Sequence, residues 1–291
     1  MSEVKDLTPR DVEKQTESLM GEKSTAVDYI KLFSELFAAE YRMEQNLRLK
    51  DIYPPISKIE IKRRLDANLP VIDPGKIDVG EAALAAFLER IIPILRHYAP
   101  GASDIATSLV DGEKVGKINL RELVRALVAG DADYLDKTTK LAGAGRAELT
   151  FIISIMARPL MRRLASFARN KDGIGDVVSD RCPVCGGAPL MARIGREDTK
   201  RVLECSLCGT SWTARRIRCL GCGNEDDTAL GFIYLEDEAC RIDKCDKCHS
   251  YIKTLDERKR PEDKGRALRI EDVATLHLDI LAEEKGYHSL R

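Results

Sequence analysis

No cysteine occurs in the first 181 residues of this 291-residue chain, and all nine follow. An excess of charge is also missing: 47 basic residues face 48 acidic ones, a formal net of −1. A dedicated nucleic-acid binder usually carries a basic surplus, so the balance speaks against that class. There is no long apolar run. The most apolar stretch, Phe151 to Met156, is far too short to cross a bilayer. The opening residues, Met1-Ser2-Glu3-Val4-Lys5-Asp6, lack the apolar core of a signal peptide. The expected compartment is therefore the cytoplasm, with no membrane partner. Thiols there stay reduced, so paired cysteines point to metal rather than to disulfides. Also missing are a P-loop, a dinucleotide fingerprint, a nucleophile elbow and a paired-carboxylate signature. The four histidines, His97, His249, His277 and His288, are scattered, and none forms a helical ligand pair. These absences predict a protein that is not an enzyme.

The cysteine asymmetry divides the chain. Residues 1–24 are polar and read as a flexible N-terminus. Residues 25–169 read as a helical domain. From Thr25, a candidate cap, the apolar positions Val27, Ile30, Phe33, Phe37 and Tyr41 share a helical face. Pro54-Pro55 and the Pro70 to Gly75 region break the chain. A helix from Val79 to Tyr98 is predicted to bury Ala82, Ala83, Ala86, Phe87, Ile91 and Leu95. Two helices split near Gly112 follow, then one ending at Leu141. A last long helix from Arg146 to Arg169 contains Pro159, which predicts a kink. Residues 170–180 read as a linker. Beyond it, Ser211-Trp212-Thr213 and Phe232 to Leu235 are strand candidates. Glu236-Asp237-Glu238 reads as an exposed turn. Residues 256–291 read as a charged linker and a closing amphipathic helix, with Val273, Leu276, Ile280 and Leu281 inward.

Eight of the cysteines form four Cys-x-x-Cys pairs: Cys182/Cys185, Cys205/Cys208, Cys219/Cys222 and Cys245/Cys248. Nineteen residues separate the first pair from the second, twenty-two the third from the fourth, and only ten the second from the third. The grouping predicts two consecutive four-cysteine modules, over 181–212 and 213–255. An interleaved pairing, first with third and second with fourth, is the alternative. Two residues between thiols allow a tight turn that aims both sulfurs at one ion. Gly186, Gly209 and Gly223 supply the positive φ that such a turn needs, while His249 departs from the pattern. Four thiolates in a tetrahedron suit zinc or iron, and closed sites of this kind hold small folds together. Cys240 fits neither group and reads as a small buried hydrophobe. Arg215, Arg216 and Arg218, with Trp212 nearby, form a basic cluster between the modules. They are the candidate partner-binding residues.

The segment from Cys182-Pro183-Val184-Cys185-Gly186 through Leu203 to Trp212, with Arg215, Arg218, Cys219 and Cys222-Gly223, resembles the FdhE family. So do Cys245-Asp246-Lys247-Cys248, Tyr251-Ile252-Lys253 and the tail from Glu271 to Tyr287. These are accessory proteins of formate dehydrogenase biogenesis. The resemblance implies an α+β fold, an all-helical N-terminal domain followed by two small rubredoxin-like or zinc-ribbon modules and a C-terminal helix. It implies two bound metal ions, iron or zinc. It further implies a non-catalytic, chaperone-like assembly factor that binds the catalytic subunit of formate dehydrogenase in the cytoplasm before export. Self-association is left open. A zinc-ribbon nucleic-acid binder and a rubredoxin-like electron carrier are the competing readings.

Overall fold

A computed structural model describes residues 7–22, 26–169, 174, 177–235, 239–260 and 266–290. The chain divides into two compact units, Asp6–Ala168 and Arg169–Arg291. The α+β class holds, with helices first and a sheet after them.

The first unit contains α1 (Pro9–Glu22), α2 (Val27–Asn46), α3 (Leu49–Ile52), α4 (Lys58–Asp66), α5 (Glu81–Tyr98), α6 (Pro100–Lys114), α7 (Leu120–Ala129), α8 (Ala132–Ala142) and α9 (Arg146–Arg169). Helix starts follow their caps: Ser57, Asn119 and Asp131 accept the backbone N–H groups of Glu60, Glu122 and Tyr134, which would otherwise be orphaned. Gly130 and Gly143 end α7 and α8 in the left-handed conformation.

Three sequence expectations change here. The stretch read as a flexible N-terminus contains α1, because Val12, Thr16 and Leu19 make one buried face at spacings of four and three. On α5 the buried stripe is Leu84, Phe87, Leu88, Ile91 and Leu95, whereas Ala82, Ala83 and Ala86 lie exposed. Leucines withdraw far more area from water than alanines, and the helix rotates to suit them. The break expected near Gly112 falls at 115–119, after α6. α9 runs through Pro159. The Thr25 cap lies outside the described residues.

Polar burial ties α2 to α9. Glu40 is almost wholly buried and pairs with Arg158 at 3.0 Å and Arg162 at 3.1 Å. Arg162 also reaches Glu44 at 2.9 Å and lies over the Phe37 ring.

The second unit is built on β1 (Pro189–Ile194), β2 (Arg201–Cys205), β3 (Ser211–Ala214), β4 (Leu230–Tyr234), β5 (Cys240–Cys245), β6 (Ser250–Asp256) and β7 (His288–Ser289), with α10 (Leu268–Ala274) and α11 (Leu276–Glu284). Strands β1 to β3 pair antiparallel, as do β4 to β6. The two halves then join: β1 pairs β6 in parallel, Ala192 with Thr254 through Ile194 with Asp256. One sheet of order β3-β2-β1-β6-β5-β4 results, with β7 beside β6. The four-cysteine modules are thus halves of a common sheet. Strand β3 crosses the 212/213 boundary drawn from the cysteine spacing. The end of the expected linker also belongs to this unit, since Val178 bridges to Thr213.

The closing helix is two helices broken at Thr275, whose hydroxyl donates to the Glu271 carbonyl. Val273 is buried and Leu281 packs on the core as expected, whereas Ile280 is 53% exposed and Leu278 and Ala282 are buried instead. Met191, Ile242, Tyr251, Leu255, Leu268 and Leu278 form the core between sheet and helices. Within it Lys253 is 1% exposed and pairs with Asp272 at 2.8 Å and Asp279 at 2.5 Å. Glu236 to Glu238, read as an exposed turn, lie outside the described residues.

Candidate metal centres

Two groups of thiols converge: Cys182, Cys185, Cys205 and Cys208, and Cys219, Cys222, Cys245 and Cys248. These are consecutive pairs, and the interleaved alternative is excluded. Each pair sits on a chain reversal that closes one backbone bond: Gly186, Gly209, Gly223 and His249 donate to the carbonyls of Cys182, Cys205, Cys219 and Cys245 at 2.8, 3.2, 3.0 and 2.9 Å. The residue after each pair must be left-handed, and the three glycines have φ of 75°, 68° and 73°. His249 adopts φ 56° as well. The turn geometry dictates this conformation even where a side chain resists it.

Backbone N–H groups point at the sulfurs. Gly187 N lies 3.4 Å from Cys185 Sγ, and Gly221 N lies 3.3 Å from Cys219 Sγ. Such donors stabilise thiolates over thiols. Two hydroxyls also hydrogen-bond with the sulfurs: Thr210 Oγ1 with Cys208 Sγ at 3.2 Å, and Ser250 Oγ with Cys248 Sγ at 3.0 Å and Cys219 Sγ at 3.4 Å. The sequence reading passed over both. The available signal was a hydroxyl residue two positions after the second pair of each group.

The sulfurs fit a tetrahedral ion. Sγ–Sγ separations are 3.5 Å for Cys182–Cys208 and 3.4 Å for Cys185–Cys205. In the second group they are 3.6 Å for Cys219–Cys248 and 3.9 Å for Cys222–Cys245. A tetrahedron with zinc–sulfur bonds of about 2.3 Å has edges of about 3.8 Å. Without a cation the charges are frustrated. Burial pushes the Cys182 thiol well up. Burial also pushes Cys208 up, but the bonds offered by three neighbouring thiols and Thr210 outweigh it and draw that group well below its usual range. In the second group burial raises Cys219, yet Ser250 and the N–H groups of Cys222 and Gly221 bring it down to about 6. Cys245 is pushed up to about 12, chiefly by burial. A soft dication would balance a full thiolate set in either group.

Cys240 joins neither group. It is buried against the core, its Sγ donating to Glu271 Oε1 at 3.3 Å; burial first, and then the Glu271 carboxylate, push its thiol well up.

The candidate partner residues fare differently. Trp212 is 1% exposed and its Nε1 donates to the Ser179 carbonyl at 2.9 Å. It is a core residue of β3 and offers no surface to a partner, which corrects the reading that grouped it with the arginines. An indole in a strand of alternating burial goes inward when its N–H finds an acceptor there. Arg215 and Arg218 converge on Glu225 at 2.7 and 2.6 Å, and Arg218 also holds Asp180 at 2.8 Å. Arg216 is exposed, and Ile217 beside it is 63% exposed.

Comparison with known proteins bears on this arrangement. Residues 181–216 match the family model for the FdhE central domain, and residues 217–290 match that for the FdhE C-terminal domain. Across its thiol-bearing half the chain is therefore similar to the FdhE family. The boundary between the two FdhE domains falls in the loop that links the cysteine groups. The chain is 38% identical over 204 residues to Protein FdhE of Escherichia coli O1:K1 / APEC, covering 68% of this chain and 61% of that protein. It is 43% identical over 111 residues to an FdhE homolog of Aquifex aeolicus, covering 36% and 38%. It is 28% identical over 202 residues to one of Haemophilus influenzae, covering 68% and 63%. The chain thus spans less than two thirds of the length of these relatives. The crystal structure of the FdhE protein from Pseudomonas aeruginosa superposes with a TM-score of 0.65 at 20% identity, over 98% of this chain and 95% of that one. At that identity it is the fold that is shared.

Proposed function

We propose that this chain, similar to FdhE across its thiol-bearing half, is a non-catalytic accessory factor of formate dehydrogenase biogenesis. In this reading it binds the catalytic subunit of that enzyme in the cytoplasm, before export, and holds one iron or zinc ion in each thiol group. The observation that carries the reading is the closed character of the two four-cysteine groups within an FdhE sheet. Four thiolates fill a tetrahedron and leave no position for a substrate. Such a site supports a surface rather than a reaction. No helix among the described residues is long and apolar enough to cross a membrane.

Of the residues singled out from the sequence Arg216 is kept, and the contact surface is drawn there with Ile217 and Phe232 rather than at Trp212, Arg215 and Arg218. Ile217 and Phe232, 63% and 54% exposed, line a common cavity with Arg216. Arg215 and Arg218 are engaged in ion pairs that fasten the loop between the cysteine groups. The experiment is titration of the formate dehydrogenase catalytic subunit against metal-loaded protein, unaltered and with Arg216→Glu plus Ile217→Asp. Two central contacts removed together should weaken binding by roughly a hundredfold with metal content unchanged. Equal affinity would move the contact elsewhere on the protein. Absence of binding by the unaltered, fully loaded chain would refute the accessory-factor reading.

A further inference from the structure

The two thiol groups are not equivalent, and the difference lies in access. In the first, Cys182, Cys185, Cys205 and Cys208 are 1%, 1%, 0% and 0% exposed. In the second, Cys222 is exposed and Cys248 is half-buried, while Cys219 and Cys245 are covered. A cavity of about 70 Å³ borders Cys219 and Cys245. The turn carrying Cys245 and Cys248 is also the one that forces a side chain, His249, into the left-handed region, a strain that glycine does not carry.

We propose that the groups divide their roles: the first is a permanent structural centre, and the second is an exchange site that yields its ion to an external soft ligand, a thiol or a chelator, through Cys222 and Cys248. The inference rests on the reading that both groups hold metal. To reach any sulfur of the first group, a reagent must wait for a local opening of the chain that buries all four. To reach Cys222 it waits for nothing. Local opening carries its own free energy, so the rates separate even where intrinsic affinities match. A sulfur that lets go takes up a proton, and neither oxidant nor reductant is involved. The chemistry of the incoming ligand follows from the donor set: an ion selected by four thiolates is taken over by a soft donor, not by a carboxylate.

The test is release of zinc from the fully loaded, full-length chain to a large excess of a chromogenic chelator. Two phases of equal amplitude are expected, the faster by about tenfold or more. Cys222→Ser should abolish the fast phase and keep the slow one. As a check independent of variants, iodoacetamide added to the loaded, unaltered chain should modify Cys222 and Cys248 before any cysteine of the first group, as read by peptide mass spectrometry. Release of both ions at one rate, survival of the fast phase in Cys222→Ser, or first modification at Cys182 to Cys208 would overturn the proposal. A chain that takes up fewer than two ions would overturn the metal reading, and this inference with it.

Discussion

Replacing Lys253 by methionine should be among the most damaging changes available outside the cysteines. Its ammonium group is 1% exposed and makes four contacts: Asp272 Oδ1 at 2.8 Å, Asp279 Oδ2 at 2.5 Å, and the carbonyls of Asp272 and Thr275 at 2.8 and 3.4 Å. Both carboxylates are themselves 9 to 11% exposed. The substitution preserves the volume and deletes the charge, so two buried aspartates lose this ammonium contact. Breaking a buried pair in this way costs about 3–5 kcal/mol. Tyr251 still donates to Asp279 at 2.7 Å, which places the expectation at the lower end, about 3 kcal/mol. With a urea dependence of about 2 kcal/mol per molar, the unfolding midpoint should fall by about 1.5 M. The reporter is built in: Trp212 is the one tryptophan of the chain, it is 1% exposed, and it lies in β3 of the same sheet. Fluorescence of the metal-loaded protein in a urea series gives the midpoint. Adding Asp272→Asn and Asp279→Asn to Lys253→Met should recover most of the loss, since the two carboxylate charges are then gone. A midpoint shift below about 0.5 M for the single variant, or a triple variant worse than the single, would refute this account of how α10 and α11 are held to the sheet.

Two further outcomes follow from the same structure. Burial pushes Glu271 up, but Arg260, bound to both its oxygens at 2.5 and 2.6 Å, outweighs burial and holds the carboxyl below its ordinary 4.5. A group depressed in the folded state contributes stability above its unfolded value and loses it as pH falls through the folded one. Acid unfolding of the sheet unit below about pH 4.5 should therefore become shallower in Arg260→Ala. The segment 6–168 contains no cysteine and its core is apolar helix faces, so it should stay helical by circular dichroism in excess chelator when expressed alone. Loss of its helical signal would make metal part of that unit's folding.

The cysteine groups were legible because their information is local. A Cys-x-x-Cys turn followed by a left-handed residue carries its geometry in five consecutive residues, and the short gap between Cys208 and Cys219 separates the two groups. The sheet that joins them was not. The β1–β6 contact pairs Ala192 with Thr254, and nothing in either strand specifies a partner so far along the chain. Strand β6 also hides itself. Both of its faces are covered, and its buried positions include Lys253 and Thr254, so no apolar alternation marks it. Helix α10 misleads in the same way, because Arg269, Glu271 and Asp272 are buried and paired where a pattern reading expects solvent. Trp212 was assigned to the surface by its proximity to arginines in sequence, whereas the period of β3 decides its side.

The central claim is that each thiol group holds one ion in a closed sulfur shell. The direct measurement is the metal content of the protein purified without oxygen, combined with X-ray absorption at the edge of the metal found. The account predicts two ions per chain, each with four sulfur neighbours at about 2.3 Å, falling to one ion in Cys182→Ser and to the other one in Cys219→Ser. Fewer than two ions, oxygen or nitrogen in the shell, or loss of the same ion in both variants would contradict it.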